Sequence, residues 1–205
     1  MILFEITGSE SHPAYQELEI SNAERHYGFL QSIISASIKM ERPFLSQTVL
    51  KALNYHAIAC LHTAAGEFRP CEVTVGNHNP PAAFQVGALM DDFVNEVNRI
   101  WETTDPIGLA TYVLWKLNFI HPFINGNGRT ARAACYFVLC VANGGALPGD
   151  EILPTLLKKN RHDLVRCLQA ADASLATGKL DLNDLHSLIS TLLKEQIDNA
   201  TPTHT

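Results

Sequence analysis

The chain has 205 residues, 46% of them apolar, which is enough to bury one large core, and one domain is the expected count. A net charge of −6, built from interspersed acidic and basic residues, argues against a basic surface for nucleic acid or an anionic membrane. Five cysteines without a Cys-x-x-Cys pair argue against a disulfide framework or a zinc site, and for reduced thiols in the cytoplasm.

Taken in order, the chain starts with a short apolar run preceded by no basic residue, a poor signal peptide, and Ile2 to Ile6 reads equally as a short strand or an ordered tail. From Ala14 to Met40 the pattern is helical, with Tyr27, Leu30, Ile33, Ile34 and Ile38 on one side. Pro43 breaks it. Ser46 has the character of an N-cap for a helix carrying Val49, Leu50, Leu53, Ala57, Cys60 and Leu61, which Gly66 is expected to close. Glu67 to Pro81 differs in composition: β-prone Glu72-Val73-Thr74-Val75 runs into turn residues, predicting a small exposed hairpin.

Helical spacing returns from Val86 to Trp101. Thr104-Asp105-Pro106 caps the next helix, Ile107 to Ile120, which is apolar on nearly every side and therefore predicted to be central. Thr130 to Ala142 has the same character and stops at Asn143-Gly144-Gly145. Helices over Glu151 to Leu157, Asp163 to Ala173 and Leu182 to Ile197 complete an all-α set with one short hairpin. The longest apolar runs fall far short of a bilayer span, and the polar end of the chain, 199–205, is expected to be a flexible tail.

Between the two most apolar helices lies His121-Pro122-Phe123-Ile124-Asn125-Gly126-Asn127-Gly128-Arg129, followed by Arg132. A helix starting near Asn127 aims unpaired N–H groups and the positive end of its dipole into the loop, so an anion is the natural occupant. Gly126 and Gly128 let the backbone approach a phosphate closely, and Arg129 and Arg132 share a helix face from which forked donors reach its oxygens. His121 can take up a proton near neutral pH. A base opposite an anion cradle points to nucleophilic attack on a phosphate.

The stretch resembles the signature of the Fic family, His-x-Phe-x-Asp/Glu-Gly-Asn-Gly-Arg-x-x-Arg, with Asn125 where the family has a carboxylate. The resemblance extends to Leu61-His62, Gly66-x-Phe68-Arg69, Val73-x-Val75-Gly76 and Pro80-Pro81. It divides the chain into an N-terminal helical extension (1–45), a Fic core (46–173), a C-terminal helix (174–198) and the tail. It implies a compact helical domain whose hairpin, the flap, holds a target segment by strand pairing along Glu72, Val73, Thr74, Val75 and Gly76.

The activity so implied is transfer of AMP from ATP to a Ser, Thr or Tyr hydroxyl of a target protein. His121 is the implied base. Gly126, Asn127 and Gly128 would hold the α- and β-phosphates, Arg129 and Arg132 the β- and γ-phosphates, while Phe123 packs beneath the loop and Pro122 stiffens it. Asn125 would be the metal ligand for Mg²⁺ or Mn²⁺, weakened by the lost charge. Ser37-Ile38-Lys39-Met40-Glu41-Arg42 partly matches the family's inhibitory helix and makes Glu41 a candidate inhibitory residue, with Glu195 a second partial match. The implied partner is a protein substrate, with self-association left open. Alternative readings are a nucleotide-binding regulatory module that has lost catalysis, or transfer of another phosphate-linked group. His78 reads as an ordinary turn histidine, and Trp101 and Trp115 as packing.

Overall fold

A computed structural model describes residues 2–41, 43–76 and 78–200. The expected tail therefore lies largely outside the described residues, as do Arg42 and Asn77. The fold is all-α. Its helices are α1 Leu3–Thr7, α2 Pro13–Lys39, α3 Gln47–Ile58, α4 Val86–Ile100, α5 Pro106–Ile120, α6 Asn127–Ala142, α7 Leu153–Lys159, α8 Arg161–Ala176 and α9 Asn183–Asp198.

Local chemistry sets the ends that matter. The Ser46 hydroxyl accepts from the Val49 N–H at 3.1 Å to start α3, and Asp105 Oδ1 accepts from Gly108 at 2.8 Å with Pro106 at the first position of α5. α5 ends where His121 turns left-handed (φ 50°, ψ 59°), and α6 begins after Gly126 does the same (φ 79°). Only six residues separate the two helices.

That short connection forces α5 and α6 side by side, and they share the most extensive helix interface. Every residue from Ala133 to Cys140 is buried, as are Leu109, Ala110, Val113, Leu114, Trp115, Leu117 and Ile120. Burying each such large apolar side chain contributes about 1.5–3 kcal/mol before entropy is counted. The pair is central: α2, α3 and α7 pack on α6, and α4, α8 and α9 pack on α5.

Three expectations need correction. Leu3–Thr7 is a helical turn and not a strand, because its first N–H groups dock on the Cys60 and Leu61 carbonyls (2.9 and 3.1 Å) and Thr7 Oγ1 bonds back to Leu3. α3 stops at Ile58, well before Gly66: the Ala59 carbonyl is taken by Asn22 Nδ2 (2.9 Å) and the next two by α1, so the helical ladder ends there. The expected hairpin reduces to one antiparallel bridge, Val75 with His78, closed by the His78 N–H on the Val75 carbonyl. Its outer residues Glu72 and Thr74 are exposed, and Val73 and Thr74 make no backbone hydrogen bond among the described residues.

The cysteines form no disulfide; Cys60 and Cys71 are exposed, and Cys135, Cys140 and Cys167 are buried. Among the described residues no helix is long and apolar enough to cross a membrane.

Candidate active site

The loop joining α5 to α6 is held from beneath. Phe123 is fully buried against Phe68, with ring centroids 5.7 Å apart. Asn127 spends both ends of its side chain on one residue: Oδ1 accepts from the Phe123 N–H (2.9 Å) and Nδ2 donates to the Phe123 carbonyl (2.8 Å). Its side chain is therefore a brace for the loop, and what Asn127 offers an anion is its N–H. The N–H groups of Asn127, Gly128 and Arg129 open α6 and make no hydrogen bond among the described residues. They form the cradle.

Gly126 can be nothing larger. A Cβ there would meet Ile58 Cγ2 at 2.8 Å and Asn54 Nδ2 at 2.9 Å, in a left-handed backbone. Asn54, fully buried in α3, is a residue that sequence reasoning missed. Its Nδ2 donates to the Asn125 carbonyl (2.8 Å) and its Oδ1 accepts from the Gly66 N–H (2.9 Å), tying the loop to the segment that leads to the flap. A lone polar residue among apolar helix positions is the only local hint it gives.

Arg69, 2% exposed, organises the other rim. Its Nε donates to the His121 carbonyl (2.8 Å), its N–H to the Pro122 carbonyl (2.8 Å), Nη1 to the Cys71 carbonyl (3.1 Å), and Nη2 to the Pro81 carbonyl. One guanidinium joins the catalytic loop to both stems of the flap. Glu72 completes this base, accepting from Arg69 and from the Ala83 N–H, so its side chain is structural while its backbone stays available.

His121 is neutral at physiological pH. Burial pushes its imidazole from 6.5 down to about 4; an interaction with the Asn118 backbone opposes this, and the nearby His78 and Arg69 reinforce it. A neutral imidazole at one end of a short loop and a cradle of unpaired amides at the other supply a proton acceptor and a means of stabilising negative charge.

The arginines differ. Arg129 is already engaged: Nη1 donates to Glu19 (3.0 Å) in α2 and to the Ala57 carbonyl (3.1 Å), and Nη2 to Asn125 Oδ1 (3.0 Å). Arg132 makes no hydrogen bond or ion pair among the described residues and folds back so that its Nη1 lies 3.2 Å from where a Gly128 Cβ would stand. Burial, then like charge on Arg129 and Arg161, lowers its guanidinium to about 10. His26 of α2 lies in the same field, its Nε2 buried and without a partner among the described residues.

Asn125 does not fit a metal. Its Oδ1 accepts from the Gly126 N–H (2.6 Å) and from Arg129, while its Nδ2 faces Glu10 (3.4 Å) and His62 Nε2 (3.0 Å). An oxygen saturated by two donors, one of them cationic, has no lone pair to give to a cation, and no cluster of three metal-binding side chains occurs among the described residues. Glu41 is corrected too: it sits exposed beyond the end of α2 with φ 51° and pairs with neither arginine, whereas Glu19, two turns into the same helix, does. The sequence marks Glu19 with no local pattern.

Residues 44–139 match the Fic/DOC family model. The chain is 44% identical over 68 residues to the protein adenylyltransferase Fic of Drosophila persimilis and 43% over 68 residues to that of Drosophila melanogaster, a third of this chain in each case. It spans about one-eighth of the length of those curated relatives, 13% and 14%. In fold it superimposes on Fic-1 of C. elegans (TM-score 0.69, 22% identity, 88% of this chain and 49% of that one). A Fic-domain signalling protein from Bacteroides thetaiotaomicron gives a TM-score of 0.70 at 21% identity, over 96% and 76%. The signature loop and its cradle thus fall within the stretch that matches the Fic/DOC family model, on a helical frame similar to that of solved Fic-domain proteins.

Proposed function

We propose that this domain transfers AMP from ATP to a hydroxyl of a protein substrate lying along Glu72 to Gly76. The observation that carries it is one short loop with the neutral, half-buried His121 at its start and three unpaired N–H groups of α6 at its end. In this reading the His121 imidazole takes the proton of a Ser, Thr or Tyr hydroxyl as its oxygen attacks the α-phosphorus. The bond to the β-phosphate breaks, and pyrophosphate leaves. The amides of Asn127, Gly128 and Arg129 hold the phosphate oxygens as charge builds, and Arg132, free of protein partners among the described residues, takes the terminal phosphates. The unpaired Val73–Thr74 backbone supplies an edge for the substrate strand. No step is assigned to a protein-held Mg²⁺ or Mn²⁺, because Asn125 does not fit one. The name of the Drosophila relatives supports ATP as the nucleotide, and five cysteines without a disulfide suit the cytoplasm.

ATP labelled at the α-phosphate tests the reading. Label retained on protein by the wild type and reduced 10²–10⁴-fold by His121→Ala is expected for loss of a general base. Equal labelling of both proteins would falsify it.

A second reading, nucleotide binding without transfer, draws on one observation: Glu19 already occupies Arg129. ATP binding by the wild type with no label transferred, either in wild type or after Glu19→Gln, would favour it.

A further inference from the structure

The turn at the flap tip carries a histidine that the proposed transfer does not use. A turn histidine ordinarily points to water. His78 points inward, its side chain 16% exposed. Its Nε2 lies 2.8 Å from the Phe119 carbonyl, and since a carbonyl only accepts, Nε2 carries a proton there. That fixes the ring, and Nδ1 then lies 3.1 Å from Asp172 Oδ2 in α8. The other oxygen of Asp172 accepts from Trp115 Nε1 at 2.9 Å, so the carboxylate is itself held in place by the central helix α5. The His78 N–H closes the turn on Val75.

One ring thus connects three parts of the molecule: the tip of the flap, α8, and the last turn of α5 two residues before His121. Arg69 anchors the flap at its stems, on Cys71, Glu72 and Pro81, but reaches no described residue from Val73 to Pro80. Val73 and Thr74, the unpaired edge, are suspended between these two anchors. Without a second anchor, a segment with a single β-bridge has little to fix its height above the imidazole.

We propose that His78, oriented by Asp172, is a positioning residue for the protein substrate: it latches the flap tip to the helix that ends in His121 and so sets where a docked strand places its hydroxyl. This rests on the reading that the flap edge receives the substrate. The wider role of Asp172 follows from the same geometry, since it links the latch to Trp115.

The test uses the full chain with His78→Ala and His78→Gln, whose amide nitrogen stands near the Nε2 position and can still donate to Phe119. Hydrogen exchange without nucleotide or substrate is measured first. His78→Ala is expected to speed exchange at the amides of 73–76 at least tenfold, leave those of α5 and α6 unchanged, and be largely reversed in His78→Gln. With α-labelled ATP and a synthetic peptide of alternating Thr and Val containing one Tyr, His78→Ala is expected to raise the peptide KM at least fivefold and leave the ATP KM unchanged. Unchanged exchange at 73–76 overturns the latch. Faster exchange with an unchanged peptide KM overturns the positioning role. A wild type that labels nothing overturns the transfer reading and the substrate role with it, while the exchange result still decides the latch.

Discussion

The two rims of the signature loop are built on opposite principles. On the flap side Arg69 and His78 bind backbone carbonyls, at His121, Pro122, Cys71, Pro81 and Phe119, and so hold the rim rigid without filling the space above it. On the α2 side the partners are side chains of the site itself: Glu19 takes Arg129, and Glu10 faces Asn125. One rim is braced for access, and the other is partly closed by the chain's own carboxylates. Rigidity and occupancy are therefore separable here, and substitutions on each side should break different things.

The largest effect should come where the two rims meet. Gly126→Ala forces a side chain into a left-handed backbone and against Ile58 and Asn54, which should cost about 2–3 kcal/mol and lower the melting temperature by several degrees. If the thermal midpoint does not move, the loop is less tightly braced than the contacts imply.

Acid sharpens the comparison next. Burial holds His26 on the α2 side at about 4, as it does His121 on the other, against an ordinary 6.5. The unfolded chain therefore takes up protons below about pH 6.5 that the folded chain refuses until about pH 4. Stability from neutral burial is fully present above pH 6.5 and is lost as pH falls through that window, by about 3 kcal/mol for each ring. His26→Leu should flatten the fall in urea midpoint between pH 6.5 and 4; a profile parallel to the wild type would show that His26 does not contribute.

The smallest effect distinguishes occupancy from bracing. Glu19 and Arg129 are both partly solvated, so their pair contributes little to stability, about 0–1 kcal/mol. Glu19→Gln should leave the melting temperature almost unchanged while tightening ATP binding about threefold to tenfold by calorimetry, because Arg129 no longer has to leave a carboxylate. Weaker ATP binding in this variant would mean that Glu19 orients Arg129 for the nucleotide and does not compete with it.

Much of this geometry was legible because it is local. Asp105-Pro106 announces the start of α5, Gly126-Asn127 the start of α6, and the uninterrupted apolar character of both helices announces their central place. What escaped is set by distant residues. The end of α3 depends on Asn22 and α1 capturing carbonyls that the helix would otherwise use, and the strand or tail expected at the start becomes a helical turn for the same reason. Asn54, Glu10 and Glu19 gain their roles only when α2 and α3 lie against the loop; a glutamate among the glutamates of an amphipathic helix carries no mark of it. Asn127 was singled out, but its bracing of Phe123 was not legible, because the sequence does not show that both ends of its amide turn inward.

The conformation of His121 has a consequence for how this protein trades robustness for chemistry. A residue with a Cβ in the left-handed region costs about 1–2 kcal/mol relative to glycine, and His121 bears that cost at the terminus of the most deeply buried helix pair. His121→Gly should therefore unfold at the same temperature as the wild type or above it, despite losing a half-buried ring. Selection for endurance alone would remove this imidazole, and the proposed transfer supplies a reason to keep it.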